Sequence, residues 1–217
     1  MVNDHDKSPV ALEPRELAGE KLFSPSAARN AAPIREVLSP RLPRAAKVLE
    51  IGCGTGEHAE AVCRARPDLV WMPSDPDPVS RASTTARAEE IPNLQPAVAI
   101  DASVRNWTDG LSPVDAIVCC NVIHIAPWAV AEGLAAGAAR LVAPGGIVFL
   151  YGPFLLDQGN APSNLAFDEN LRTKNPHWGV RPLDTVTDLF ARHKFGLQEK
   201  IDMPANNYSL VFSPEPQ

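Results

Sequence analysis

Three glycines alternate with other residues directly after a short apolar run, and this spacing carries the clearest chemical meaning in the chain. The turn spans residues 52–56, and Glu50 lies two residues before it. Glycine lets the backbone approach a ligand closely and adopt positive φ angles. We therefore predict that Glu50, Gly52, Gly54 and Gly56 form a ligand-binding turn. The alternative is a tight strand-to-helix turn that holds no ligand.

The residues around the turn separate the possible ligand classes. A dinucleotide-binding turn needs a third glycine where Glu57 stands, and a carboxylate there would oppose a pyrophosphate at a helix N-terminus. The Gly-Lys-Ser/Thr ending of a triphosphate-binding loop is also absent from the sequence. A ligand with an adenosyl group and no phosphate fits better, so we expect S-adenosyl-L-methionine as the cofactor.

Acidic residues follow the next two predicted strands. Asp75 follows the second, where a carboxylate can accept hydrogen bonds from both ribose hydroxyls. Asp101 closes the third, where it can accept a hydrogen bond from the adenine amino group. Asp77 competes with Asp75 for the ribose. A solvated loop aspartate is the alternative for Asp75 and for Asp101.

The segment around the glycine turn resembles the first motif of class I methyltransferases. From about Phe23 to Phe212 the chain further resembles a methyltransferase-like family of bacteria and animals, formerly catalogued as a domain of unknown function. The matching stretches are Ser24–Asn30, Gly54–His58, Pro73–Asp75, Asn121–Trp128, Tyr151–Phe154, Ser163–Asn164, Phe167–Asp168 and Met203–Asn207. Cys53 departs from the more usual serine. The resemblance implies a seven-stranded sheet and the same cofactor, and it implies no substrate.

Asn121 and His124 follow the fourth predicted strand, where this fold usually presents the methyl group. The Asn121 amide can orient a bound group, and we expect it to contact the cofactor as well. We interpret His124 as the general base, because the ordinary pKa of histidine lies near the working pH. The alternative is a packed, hydrogen-bonded histidine at a strand-to-helix turn.

Methyl transfer requires alignment of donor and acceptor under a cover that excludes water. We expect two segments to form this cover: helices within residues 21–40, and the long irregular segment 152–182 with a helix near 166–173. The candidate substrate-binding residues are Arg29, Asn30, Trp128, Tyr151, Asn164, Trp178 and Arg181. Arg29, Arg172 or Arg181 can grip an anionic group bidentately, unless these arginines form structural ion pairs. Trp128 can instead serve the core or the lid.

Strands and helices alternate along the chain, which predicts a parallel sheet with helices on both faces. The predicted strands cover residues 47–51, 69–72, 96–101, 116–120, 147–151, 197–202 and 208–213. Pro73 should end the second strand, because proline has no N–H to donate. The last two strands have no helix between them and should form an antiparallel pair. We therefore expect an α/β, Rossmann-like, doubly wound sheet of seven strands with an antiparallel last strand, the class I methyltransferase fold.

Length, net charge and composition indicate the number of domains, the possible partners and the cellular location. With 217 residues the chain suits one domain, residues 21–217, after a mobile tail at 1–20. A net charge of −6 argues against nucleic acid, and no apolar run of bilayer length or signal-peptide pattern is present. The four cysteines and scattered histidines suggest no metal site. We expect a cytoplasmic monomer or homodimer without membrane partners.

The leading hypothesis is methyl transfer from S-adenosylmethionine to a small-molecule acceptor that is polar or anionic. Two alternatives stay open because a fold does not fix a function. The chain can be a cofactor-binding partner protein without catalysis, or a non-methylating enzyme on the same fold, such as a cyclase.

Overall fold

The computed structural model describes residues 16–18 and 20–216 and builds its main sheet from six strands. These strands are β3 (Lys47–Ile51), β4 (Val70–Ser74), β5 (Val114–Cys120), β6 (Val142–Gly152), β9 (Phe195–Met203) and β10 (Asn207–Pro214). The helices are α1 (Pro25–Leu38), α2 (Glu57–Ala65), α3 (Pro78–Ala88), α4 (Trp128–Leu141), α5 (Pro162–Lys174) and α6 (Leu183–Arg192). Two short pairs complete the list: β1 (Glu16–Ala18) with β2 (Lys21–Phe23), and β7 (Phe154–Leu155) with β8 (Arg181–Pro182).

The main sheet is mostly parallel and has the order β4-β3-β5-β6-β10-β9. β3 pairs in parallel with β4 and β5, and β5 pairs in parallel with β6. β10 is antiparallel to both of its neighbours, β6 and β9. One buried apolar cluster includes side chains of α4 and α6, and a second includes side chains of α1 and α2. The expected α/β, Rossmann-like, doubly wound class with an antiparallel last strand is confirmed.

The third predicted strand is present only as isolated bridges, from Leu94 to Trp71 and from Val98 to Ser74. Pro73 explains the interruption. β4 continues through Pro73, contrary to our expectation, and the Pro73 carbonyl accepts from the Val98 amide at 3.0 Å. Because proline has no N–H, Pro73 cannot donate a hydrogen bond back to the 94–98 segment, and regular strand pairing is interrupted there. The sheet therefore has six regular strands and a bridged seventh segment.

The N-terminal segment forms one helix where we expected more than one. Ser24 caps α1 by accepting from the Ala27 amide at 3.2 Å, and Pro33 lies inside the helix. Most of the predicted tail, residues 1–15 and 19, lies outside the described residues. Residues 16–18 form β1, which pairs with β2, and the mobility of the tail stays a prediction.

The segment 152–182 is more regular than its composition indicated. It holds the 13-residue helix α5 at Pro162–Lys174, longer than the predicted helix near 166–173. Its two ends, β7 and β8, pair in parallel. The segment is therefore an ordered structure that begins and ends beside the carboxyl end of β6.

Candidate cofactor and acceptor site

The glycine turn lies at the carboxyl end of β3, and all three of its glycines have positive φ: 75° at Gly52, 56° at Gly54 and 91° at Gly56. The amides of residues 52 and 53 donate to the Ser74 carbonyl at 2.8 and 2.9 Å. A Cβ at Gly52 would overlap Val122, whereas a Cβ at Gly54 would meet nothing within 4 Å. Gly52 is thus required for packing, and Gly54 borders open space that a ligand can fill.

Arg87, a residue that the sequence interpretation missed, binds the backbone of the glycine turn. The Arg87 Nε donates to the Thr55 carbonyl at 2.8 Å, and its Nη2 donates to the Leu22 carbonyl at 2.6 Å. The Ser24 amide also donates to Glu57 Oε1 at 2.7 Å. The start of the N-terminal segment is thereby attached to the turn. Closure of residues 21–40 and 152–182 over a cofactor stays a prediction.

Asp75 and Asp77, which competed for the ribose role, have different surroundings. Asp75 is buried and accepts from the Gly54 amide at 3.0 Å and from the Asp77 amide at 2.9 Å. Asp77 caps α3 by accepting from the amides of Val79 and Ser80, each at 3.1 Å. Both oxygens of each carboxylate thus accept from a backbone amide, but only Asp75 accepts from the glycine turn. Asp75 is therefore the better candidate, because it is bonded to the turn itself.

We expect Asp75→Asn to weaken the binding of S-adenosylhomocysteine, the demethylated cofactor. The amide has one acceptor oxygen in place of two, so a ribose hydroxyl would lose its acceptor, which costs about 1–3 kcal/mol. Asp77→Asn is the matched control, because asparagine caps helices as well as aspartate does. Calorimetry should show a loss of about tenfold or more for Asp75→Asn and a change within about twofold for Asp77→Asn. Equal losses would remove the distinction between the two carboxylates.

Asp101 lies beyond the bridged seventh segment and is exposed. Its Oδ1 accepts from the Ser103 amide at 2.9 Å and from the Ser103 hydroxyl at 2.6 Å. These local bonds fix the direction of the carboxylate. A contact between Asp101 and the adenine amino group stays a prediction.

Glu50 is buried inside β3, and its Oε2 accepts from the indole Nε1 of Trp71 at 2.9 Å. Burial raises the pKa of Glu50 to about 7; the Trp71 hydrogen bond lowers it and the nearby charge of Asp75 raises it. A buried carboxyl poised near neutrality can respond to a cationic ligand, and S-adenosylmethionine carries a sulfonium. Glu50 therefore fits a place in the cofactor site.

We expect the affinity for S-adenosylmethionine to rise with pH up to about pH 7, because a cation favours ionised Glu50. The same raised pKa makes folding favour the protonated form. Glu50 therefore contributes its full stabilisation of the fold below the pKa it has in the unfolded chain, and this stabilisation is lost as the pH rises through about 7. Calorimetry at pH 6, 7 and 8 on wild-type protein and Glu50→Gln measures the effect. A wild-type pH dependence that Glu50→Gln retains would exclude Glu50 as its source.

Asn121 and His124 lie together beyond β5. Asn121 has φ 59°, a left-handed conformation that asparagine tolerates, and its amide donates to the Tyr151 carbonyl at 2.7 Å. A Cβ at Gly152 would overlap His124 Nε2 and lie 3.2 Å from Asn121 Oδ1. The side chains of the two predicted catalytic residues thus both lie next to Gly152, and a larger residue at position 152 would overlap His124. Gly152 was quoted in the resemblance but was not chosen as a site residue.

The environment of His124 differs from our expectation of an ordinary pKa. The ring is 1% exposed and packs edge-on against Phe154, with ring centroids 5.2 Å apart. Neither ring nitrogen has a hydrogen-bond partner among the described residues. Burial lowers the pKa of His124 to about 3, and the positive charge of Arg181 lowers it further. Burial thus favours the neutral imidazole at pH 7, and a role for His124 as general base stays a prediction.

Arg181 binds backbone carbonyls in the structure, and a contact with the substrate stays a prediction. Its Nε donates to the Ile123 carbonyl at 2.9 Å, and its Nη2 donates to the carbonyls of Ala126 and His177, both at 2.8 Å. The guanidinium also lies 5.5 Å from the centroid of the Trp128 ring. Arg181 therefore clamps the 121–128 loop, and Trp128 belongs to this clamp.

We expect Arg181→Met to lower the free energy of unfolding by about 2–4 kcal/mol, because hydrogen bonds from a charged donor are strong and their carbonyl acceptors would be left unpaired. Arg172→Met is the matched control. Arg172 donates to Asp168 at 2.9 Å in a solvent-exposed pair, and such pairs contribute less than about 1 kcal/mol. Urea unfolding measures both. Similar losses for both variants would contradict the clamp.

The remaining substrate candidates are dispersed around the carboxyl edge. Arg29 is exposed, and its side chain makes no hydrogen bond or ion pair within the part of the chain that the structure describes. Asn164 is buried, and its Nδ2 donates to the Asn206 carbonyl at 2.9 Å. Trp178 is half-buried next to Gly179. Asn164 thus joins α5 to the turn before β10, and a substrate contact stays a prediction for all three.

Tyr151 and His124 lie on opposite faces of the sheet. Tyr151 belongs to the cluster that includes Ile34 and Leu38 of α1. His124 packs on Phe154, which belongs to the cluster of α4 and α6. His124 packs on Gly152, which follows Tyr151 in β6, and successive residues of a strand face opposite sides, so the two side chains lie on different faces. The predicted set therefore divides into two groups.

A family model described as "Protein of unknown function (DUF938)" matches residues 21–214. The chain belongs to this family. The match covers every element from β2 to β10 and therefore includes the glycine turn, Asp75, Asn121 and His124.

Solved structures similar to the DUF938 chain have the class I methyltransferase fold. An O-methyltransferase family protein from Burkholderia thailandensis aligns with a TM-score of 0.76 at 16% identity, covering 88% of this chain and 57% of that one. Human N-acetylserotonin methyltransferase, in complex with S-adenosylmethionine, gives 0.72 at 13% identity with coverages of 86% and 52%. CalO1, a methyltransferase of calicheamicin biosynthesis with bound S-adenosylhomocysteine, gives 0.69 at 18% identity with coverages of 87% and 54%. The chain spans little more than half the length of these neighbours.

Two surface depressions lie away from the strand ends. One, of about 350 Å³, lies between the 103–107 segment and α4, and the other, of about 500 Å³, lies between residues 156–158 and α6. Neither is lined by a predicted site residue. We place the site at the strand ends, because the glycine turn and the unpaired ring nitrogens of His124 occur there.

The described residues hold neither a candidate metal centre nor a candidate membrane-spanning helix. Among them, no group of three or more His, Cys, Asp or Glu side chains could hold a metal ion. None of the helices built from these residues combines the length and apolar character that crossing a bilayer requires.

Proposed function

We propose that this DUF938 protein transfers a methyl group from S-adenosylmethionine to a small polar molecule. The observation that carries the proposal is the glycine turn at the end of β3. Gly54 faces open space there, and its amide is bonded to the buried Asp75. The likeness in fold to methyltransferases, two of them holding S-adenosylmethionine or its product, supports the choice of cofactor.

The residues present fit this cofactor. Gly52, Gly54 and Gly56 hold the backbone turn open, Asp75 and Asp101 supply acceptors for hydroxyl and amino groups, and Glu50 supplies a buried carboxyl. When bound, S-adenosylmethionine supplies an activated methyl group on a sulfonium. The protein then has to align an acceptor and exclude water, and this needs rigid positioning more than acid–base chemistry.

The 121–128 loop can position the acceptor, because bonds from other segments fix its backbone. Arg181 holds three backbone carbonyls in and beside it, and the Gly179 amide donates to the His124 carbonyl at 2.9 Å. Asn121 can then present its side-chain amide from a backbone fixed by its own bond to β6. In this account His124 is a neutral, buried group that supports Asn121.

Turnover of isotope-labelled cofactor tests the proposal. The protein is incubated with S-adenosylmethionine labelled in its methyl group and with a protein-free extract of small metabolites. We expect labelled products that require both protein and extract. Tight binding of S-adenosylhomocysteine without any labelled product would favour a cofactor-binding partner protein. Consumption of the cofactor into an unmethylated product would favour a non-methylating enzyme.

A further inference from the structure

A row of polar side chains crosses three strands on the face of the sheet that α1 covers. Ser209 of β10 lies directly opposite Tyr151 of β6, and Tyr151 lies directly opposite Cys120 of β5. Residues paired in this way point to the same face of a sheet. Their exposures are 0% for Ser209, 1% for Tyr151 and 7% for Cys120. We call these three residues the polar row.

Two hydroxyls of the polar row are buried without hydrogen bonds. Neither Tyr151 Oη nor Ser209 Oγ has a hydrogen-bond partner of ordinary geometry among the described residues. Burial raises the pKa of Tyr151 and the adjacent Asn207 side chain lowers it, but Asn207 Nδ2 donates to the Pro204 carbonyl at 3.1 Å and forms no bond of ordinary geometry with Tyr151 Oη. Leaving buried hydroxyls unpaired costs stability, so their presence calls for a partner that the protein itself does not supply.

The polar row lies next to the carboxyl edge where the cofactor is proposed to bind. Asn207, two residues before Ser209 on β10, is at that edge and follows a turn with two left-handed residues, Ala205 and Asn206, each with φ 58°. Asn164 holds this turn through its bond to the Asn206 carbonyl. On the other side, Asn30 is half-buried one turn before Ile34 and two turns before Leu38, both buried in α1. Polar residues thus flank the row from two elements.

The buried carboxyl of Glu50 disfavours an anion at the polar row. Glu50 points to the same face as Val48 and Trp71, and burial together with the negative charge of Glu50 raises the pKa of Cys120. An anionic group on this face would be repelled by ionised Glu50.

We propose that the polar row binds an uncharged, hydrogen-bonding group of the methyl acceptor, such as a hydroxyl or a carboxamide. The acceptor enters between α1 and the 203–207 turn; Tyr151 and Ser209 bind one end of it, and the 121–128 loop positions the atom that receives the methyl group at the carboxyl edge. This inference rests on the proposed function, and it differs from the expectation of an anion held by arginine.

The chain contains only two tyrosines, Tyr151 and Tyr208, which permits a direct test. Protein labelled with 3-fluorotyrosine gives two ¹⁹F signals, and Tyr208→Phe assigns them. With S-adenosylhomocysteine present, we expect acetamide or phenol to shift the Tyr151 signal saturably and to leave Tyr208 unchanged. Phosphate and acetate should shift neither. Ser209→Ala should weaken the binding of acetamide about 2- to 10-fold, the effect of one hydrogen bond.

Thermal unfolding of Tyr151→Phe distinguishes a ligand-binding hydroxyl from a structural one. We expect this variant to unfold at the wild-type temperature or above, because it removes an unpaired buried group. Unfolding several degrees lower would overturn the inference, and so would a Tyr151 signal that ignores both neutral probes or responds equally to the anions. Calorimetry with S-adenosylhomocysteine separates the two proposals. If S-adenosylhomocysteine binds and the neutral probes do not, only the inference about the polar row fails. If the neutral probes bind and S-adenosylhomocysteine does not, the proposed function fails, and the polar row then has no role in binding a methyl acceptor.

Discussion

Alanine at Gly54 should abolish cofactor binding in a folded protein, whereas alanine at Gly52 should destabilise the fold. Gly54 has φ 56° and open space where a Cβ would stand, so alanine there costs only the strain of a left-handed residue, about 1–2 kcal/mol. The new methyl group would occupy space that we assign to the ligand. We expect affinity for S-adenosylhomocysteine to fall about 100-fold or more, equivalent to about 3 kcal/mol.

Gly52→Ala adds a clash to the same kind of strain. Gly52 has φ 75°, and the Cβ of an alanine there would overlap Val122 of the 121–128 loop. Strain and overpacking together should cost about 3–5 kcal/mol, a large part of the stability of a typical domain. Urea unfolding and calorimetry on both variants give the comparison. If Gly54→Ala binds S-adenosylhomocysteine like wild type, the ligand lies elsewhere.

Alanine at Asn121 or His124 should lower methyl transfer about 100-fold, the effect expected when an acceptor is misplaced by about 1 Å. Affinity for S-adenosylhomocysteine should stay within about threefold, because neither side chain belongs to the glycine turn. Asn121→Gly is the matched control for the backbone, since glycine also adopts the positive φ of 59° found there. It should be as slow as Asn121→Ala but more stable. Wild-type rates in either alanine variant would exclude the loop from the reaction.

The pH dependence of the rate separates positioning by His124 from general base catalysis. With a pKa of about 3, His124 stays neutral from pH 5 upwards. The rate at saturating cofactor should therefore show no loss near pH 6.5 attributable to this residue. A loss there that disappears in His124→Ala would show that the histidine titrates during turnover and would support the role of base.

The strand-and-helix order was predictable because its signals are local. The apolar runs at 47–51 and 116–120, the glycine turn and the closing pair of strands all correspond to elements found in the structure. Placement of Asp75 beside the turn also followed from the edge at which parallel strands end. The missing third strand is a nonlocal effect, because Pro73 removes a bond from a neighbouring segment that is distant in sequence.

The roles of the site residues were less predictable because they depend on packing between distant segments. An arginine that binds three carbonyls has the same sequence signature as one that binds a substrate, so only the structure shows which carbonyls Arg181 contacts. The separation of Tyr151 from His124 depends on which face each side chain takes. The low pKa of His124 depends on burial under Phe154 and Gly152. The segment around Arg87 gave no sequence signal for its attachment to the turn.

The central claim is that the glycine turn binds an adenosyl ligand without phosphate, and titration calorimetry tests it most directly. Wild-type protein is titrated separately with S-adenosylhomocysteine and with NAD. We predict saturable, one-to-one binding of S-adenosylhomocysteine with a dissociation constant on the order of micromolar, about −8 kcal/mol, and no heat of binding for NAD. Tight binding of NAD with none of S-adenosylhomocysteine would contradict the account.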